Sequence, residues 1–136
     1  MRNRWILNIM FIGLFLIAGC GKSTPGSGYG GNNNNNPVCT VSNATATTSV
    51  SASDLNGNYV FTPSCIKISS GQTVTWTNTG TMIHTATSDA GSPVTFDSGN
   101  LSPGQTFSFT FAAPGTIGYH CTYHVSLGMK GTIIVQ

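Results

Sequence analysis

Residues 119–129, YHCTYHVSLGM, gather one of the chain's four cysteines, two of its three histidines and a methionine into one short stretch. A thiolate, an imidazole and a thioether are soft or borderline ligands, a set that selects transition metals over calcium or magnesium. Cys121, His124 and Met129 follow the order C-x2-H-x4-M on what reads as the turn between two strands. A strand end followed by a tight loop can aim three side chains at one point. A second imidazole from elsewhere completes a His2Cys set with a weak axial methionine, the ligation of a copper centre built to pass electrons.

Two histidines compete for that fourth place, His84 and His120. Successive residues of an extended strand point to opposite faces, so His120, adjacent to Cys121, is expected to look away from the metal. His84 lies in TMIHTATS, directly after the stretch TVTWTNTG, where a loop can carry it to the Cys121 end of the domain. It is therefore the expected second imidazole.

Such a site needs a rigid frame, and the chain from Val38 to Gln136 supplies a period of two. QTVTWTN (72–78) alternates Val74 and Trp76 with threonines. QTFSFTF (105–111) sets Phe107, Phe109 and Phe111 on one face and hydroxyls on the other. GTIGYHC (115–121) places Ile117, Tyr119 and Cys121 together, and KGTIIVQ closes the chain as a last strand. NGN (56–58), SSGQ (69–72), SPGQ (102–105) and APGT (113–116) are turns between them. Short alternating strands with Gly/Pro turns, and no helical stripe, predict an all-β fold, a two-sheet sandwich or small barrel.

The 136 residues suffice for one such domain. Ahead of it, Arg2 and Arg4 precede an apolar run from Ile9 to Ala18, the layout of an export signal. That run is half the ~20 residues a membrane span requires. Its end, LIAGC, is similar to the lipobox of bacterial lipoprotein signals, which implies cleavage after residue 19 and lipidation of Cys20. An ordinary signal peptide with a chance cysteine is the alternative. Residues 20–37, GlySer/Asn-rich through GKSTPGSGYGGNNNNNP, read as a flexible tether, and 38–136 as the folded domain. The expected location is extracytoplasmic, anchored to a bacterial membrane through Cys20. Gly21 after that cysteine is, by analogy, an outer-membrane address in a Gram-negative cell.

From Cys20 onward Lys22, Lys67 and Lys130 balance Asp54, Asp89 and Asp97, three minus three. A basic face for phosphate is missing, which excludes nucleic-acid binding. An exported chain keeps disulfides. With Cys20 assigned to lipid and Cys121 to metal, Cys39 and Cys65 remain as the natural pair, or as two separate buried thiols.

NTGTMIHTATSD and YHCTYHVSLGMKGTIIV resemble the two copper-ligand regions of cupredoxins, most closely the plastocyanin, pseudoazurin and amicyanin group. The resemblance implies an eight-stranded Greek-key sandwich, one type 1 copper, equatorial ligands His84, Cys121 and His124, and axial Met129. It also implies electron transfer between redox partner proteins by a monomer, with His124 as the electron's exit. Around that exit Met82, Ile83, Val125 and Leu127 are expected as an apolar collar, with Met82, Val125 and Leu127 the docking residues. Two departures stand out. Many relatives have asparagine after the first histidine, whose hydrogen bonds stiffen the ligand loops, and here it is Thr85. Many have proline before the second, and here it is Tyr123, whose N–H is expected to add a hydrogen bond to the Cys121 sulfur and raise the reduction potential.

An enzyme is the first rival. The fold occurs in multicopper oxidases and copper nitrite reductases, but three histidines cannot furnish a second copper in this domain. An extracytoplasmic copper carrier or store is the second, and carriers commonly display open Met-rich or His-rich stretches, which this sequence lacks.

Overall fold

The computed structural model describes residues 38–136; the expected export signal, the expected tether and Cys20 lie outside the described residues. One sheet contains β1 (Thr45–Ala46), β4 (Cys65–Ile68), β6 (Thr87–Ser88), β8 (Gly115–His120) and β9 (Lys130–Val135). The other contains β2 (Ser49–Ser53), β3 (Val60–Thr62), β5 (Thr73–Asn78) and β7 (Thr106–Thr110). Their orders are β1-β4-β9-β8-β6 and β3-β2-β5-β7. Crossovers make β1/β4, β4/β9 and β2/β5 parallel, while the remaining pairs are antiparallel. The result is the predicted Greek-key sandwich, with nine strands among the described residues rather than eight, two of them only two residues long. None of the described helices is long and apolar enough to cross a membrane.

Alternation builds the core. Val74, Trp76 and Asn78 of β5 point inward and are fully buried, while Thr73 and Thr75 on the outer face pair their hydroxyls with Thr110 and Ser108 of β7 at 2.7 and 2.8 Å. Those bonds follow the β5/β7 register, Thr73 opposite Thr110 and Thr75 opposite Ser108. Phe107 and Phe109 are only partly buried, because β7 is an edge strand, whereas Phe111, one residue beyond it, is buried. Trp76 packs against Phe96, Phe107, Phe111 and Tyr119 with ring centroids 5.2 to 6.4 Å apart. Such aromatic contacts add about 0.5–1.5 kcal/mol each to simple burial.

On β8, Ile117 and Tyr119 face inward, and Cys121, just past the strand, keeps the same side. Tyr119 lies over Gly131, its partner on β9, where any Cβ would run into the ring. Glycine at 131 is therefore what lets the buried Tyr119 ring lie across β9 on the core side of the sheet. Cys39 and Cys65 form a disulfide with Cα atoms 5.5 Å apart, pinning the start of the domain to β4. Among the described residues, Cys121 is free and buried.

Candidate metal centre

Two loops at one end of the sandwich carry the predicted ligands. The first leaves β5 at Asn78, a fully buried amide. Its Nδ2 donates to the carbonyls of Met82 and Leu101, both at 2.7 Å, and its Oδ1 accepts from Gly80 N–H at 2.9 Å. Parity places Asn78 inward after Val74 and Trp76, and a buried polar group must be satisfied, so it organises the backbone that follows. Downstream, His84 is locked to Leu101 by a reciprocal pair of backbone bonds, 3.1 and 2.8 Å. The His84 side chain is fully buried.

The second loop is stapled by its own backbone. His124 N–H donates to the Cys121 carbonyl, Met129 N–H to the His124 carbonyl, and Cys121 N–H to the Met129 carbonyl, at 3.1, 3.2 and 3.1 Å. Between His124 and Met129 a single 3-10 turn, Val125–Leu127, ends on Gly128 with φ of 87°, a left-handed conformation suited to glycine. Three predicted ligands thus share one ring of hydrogen bonds, the physical content of the C-x2-H-x4-M spacing.

Between the loops, Thr85 joins one to the other. Its Oγ1 accepts from Thr122 N–H at 2.9 Å and donates to Thr122 Oγ1 at 3.1 Å. The residue that departs from the asparagine of many relatives thus links the two ligand loops through its hydroxyl. Thr85 N–H also approaches the Cys121 sulfur at 3.4 Å.

The Tyr123 expectation is corrected here. The hydrogen bond accepted by the sulfur comes from Thr85, not from Tyr123, which occupies a corner of the Cys121–His124 turn. Its side chain is exposed, and its hydroxyl donates to Asn100 Oδ1 at 2.7 Å.

His84, Cys121 and His124 are all buried, and one ligand atom from each lies within 4.8 Å of the others. Both imidazoles turn Nδ1 to the sulfur, 3.7 Å for His84 and 3.4 Å for His124. Bonds of about 2.3 Å to sulfur and 2.0 Å to nitrogen at a roughly tetrahedral angle require donors ~3.6 Å apart. The donor set therefore fits one transition-metal ion. Burial, reinforced by the neighbouring His124, pushes the His84 pKa below its ordinary 6.5 against a small opposing pull from Asp54. A neutral imidazole with a free lone pair is the ligand form. Met129 is also fully buried and tied to both other loop ligands through its backbone.

His120 turns away, as alternation required: its Nδ1 lies 2.6 Å from Asp89 Oδ1 on the outside of the sheet. Met82, Val125 and Leu127 are exposed beside the site, as are Ile83 and Tyr123. Sequence reasoning missed Tyr59, whose ring stacks on His124 with centroids 4.2 Å apart and planes 18° from parallel. Nothing local in NGNY marks that contact. Asn78 was missed too, although its strand parity was legible.

Residues 46–136 match the family of copper binding proteins, plastocyanin/azurin family. Plastocyanin of Scenedesmus fuscus is 39% identical over 89 residues, 60% of this chain and 91% of that protein. The match spans 57% and 61% of two longer chloroplast plastocyanins. Among solved structures, a novel purple cupredoxin from Nitrosopumilus maritimus is similar with a TM-score of 0.57 and 28% identity, over 66% of this chain and 100% of that one. A copper-containing nitrite reductase from Thermus scotoductus aligns at a TM-score of 0.55 and 27% identity, over 74% of this chain but 25% of its own.

Proposed function

Because this chain belongs to the plastocyanin/azurin family of copper binding proteins, we propose that it carries single electrons between redox partner proteins on one mononuclear type 1 copper. In this reading His84 Nδ1, Cys121 Sγ, His124 Nδ1 and the Met129 thioether would hold the ion. The observation that carries it is the buried triad of donors whose Sγ···Nδ1 separations are 3.7 and 3.4 Å.

Copper, when bound, supplies a one-electron change between Cu(II) and Cu(I), states that ordinarily prefer different coordination. The residues keep the donors fixed. Asn78, the His84–Leu101 backbone pair and Thr85 hold the first loop, and the Cys121–His124–Met129 ring of backbone bonds holds the second. Fixed donors leave little to rearrange when the electron arrives. Thr85 N–H, aimed at the thiolate, favours the less positively charged state of the metal.

His124 is slightly exposed where His84 is sealed, 7% against 0%, which supports His124 as the exit. Met82, Val125 and Leu127 are the docking residues of this proposal, joined by Ile83 and Tyr123. An electron-carrying role rather than an enzymatic one is supported by the histidine count. Two of the chain's three serve the triad and His120 is engaged with Asp89, so no set is left for a second copper. Lipidation of Cys20, a tether over residues 20–37 and an extracytoplasmic, membrane-anchored monomer complete the proposal. They rest on the LIAGC motif and the tether's composition.

Film voltammetry of the purified copper-loaded protein tests the shuttle against a copper carrier. Repeated, reversible one-electron cycling with full metal retention is expected. Loss of the ion on reduction contradicts the shuttle and favours the carrier.

A further inference from the structure

The segment Asp54–Tyr59, DLNGNY, has no part in the ligand set, yet it touches both ligand loops. Asp54 presents its carboxylate to the first. Thr81 N–H donates to Oδ1 and Oδ2 at 2.9 and 3.1 Å, Thr81 Oγ1 to Oδ2 at 3.0 Å and Met82 N–H to Oδ2 at 2.7 Å. The chain wraps the carboxylate so closely that a Cβ on Gly80 would stand 2.5 Å from Oδ1. None of the described Lys or Arg side chains neutralises Asp54, so its partners are loop backbone and one hydroxyl.

Five residues later Tyr59 reaches the second loop. Its partly buried ring lies flat on His124, and its hydroxyl points to Met82 Sδ at 3.6 Å, which returns the contact to the first loop. A 3-10 turn, Leu55–Gly57, with Asn56 and Gly57 both at positive φ, reverses the chain between these two grips.

We propose that Asp54–Tyr59 is a strap that positions both histidine ligands, with Asp54 setting the loop that carries His84 and Tyr59 setting the ring plane of His124. Neither residue supplies a donor atom; Asp54 acts through the first ligand loop and Tyr59 by stacking on the His124 ring. A metal-bound imidazole ordinarily has its ring orientation fixed by a hydrogen bond from its other nitrogen. His84 Nε2 is buried without such a partner. Here the strap substitutes packing and loop anchoring for those bonds.

The inference rests on the copper reading, so its test begins with the wild-type chain and Cu(II). Affinity for Zn(II), a redox-inert probe, is then measured by chelator competition in Asp54→Ala, Tyr59→Leu and Tyr59→Phe, together with melting of the metal-free forms. Asp54→Ala and Tyr59→Leu are expected to bind Zn(II) about tenfold more weakly. Tyr59→Phe, which keeps the stack and drops the Met82 contact, loses less than Tyr59→Leu. In the metal-free protein the His124 ring protons are expected to shift downfield in Tyr59→Leu as the shielding ring is removed. Variants that melt earlier but bind Zn(II) as tightly as wild type overturn the strap while leaving the copper reading intact. A wild type with no thiolate-to-copper band overturns both. If Tyr59→Leu does not fold, Asp54→Ala and Tyr59→Phe decide the question in the same way.

Discussion

Asn78 is the residue on which the first ligand loop turns, since one buried amide satisfies two carbonyls and one N–H. Removing it takes the amide partner from the part-buried Met82 carbonyl and Gly80 N–H, while the Leu101 carbonyl keeps its bond from His84 N–H, at about 1–3 kcal/mol for each group stranded. Asn78→Ala is therefore expected to lower the denaturant midpoint of the metal-free protein by an amount equivalent to ~3 kcal/mol, checked by urea unfolding. Asp54 gives a pH signature. Thr81 N–H, opposed by partial burial and helped by the Thr81 hydroxyl and Met82 N–H, holds its pKa below the ordinary 3.8. The unfolded chain then binds a proton more readily than the folded one. The stabilisation is complete above the unfolded pKa, about 3.9, and is lost as pH falls through the lower folded value. Asp54→Asn is expected to flatten the stability profile of the metal-free protein below pH 4, measured as urea midpoint against pH. An unchanged profile contradicts the carboxylate clamp.

Strands set the spacing that these residues need. Tyr119 and Gly131 are cross-strand partners on β8 and β9, and the strand that carries Tyr119 delivers Cys121 two residues later. Gly131→Ala forces the ring aside, and overpacking of this kind costs about 1–3 kcal/mol. Thermal unfolding is expected to show that loss, together with weaker metal binding as Cys121 is dragged along. The disulfide joins Cys39 and Cys65, 26 positions apart, for which chain entropy predicts ~3 kcal/mol of stability. Reduction should remove it while leaving the triad assembled, because neither cysteine hydrogen-bonds to His84, Cys121 or His124. Much of this level was legible in the sequence. Parity along β5, β7 and β8 puts Trp76, Phe111, Tyr119 and Cys121 inside and turns His120 out, and period-two alternation is a local property of the chain. What escaped was long-range: Tyr59 on His124 joins residues 65 positions apart, and the choice of Thr85 over Tyr123 as donor to sulfur depends on how two loops meet. The extra short strands escaped as well, since two-residue pairings carry no periodicity.

At the scale of the molecule, the described surface bears few charges, with Lys67, Lys130, Asp54, Asp89 and Asp97 as its Lys and Asp residues. The metal end presents Met82, Ile83, Tyr123, Val125 and Leu127 to solvent. Contact made mainly through apolar surface is screened little by salt. Electron exchange between two copies of the protein should accordingly change little between low and physiological ionic strength, as read by NMR line broadening in mixed oxidation states. A steep salt dependence points to a charged encounter surface instead. Electron transfer at this end of the molecule depends on copper bound through the Cys121 thiolate. The measurement that tests this most directly is the visible absorption and EPR spectrum of the purified protein after addition of Cu(II), beside Cys121→Ser. An intense visible thiolate-to-copper band with narrow copper hyperfine splitting, lost in Cys121→Ser, is the predicted result; a weak tetragonal spectrum indifferent to Cys121 would contradict it.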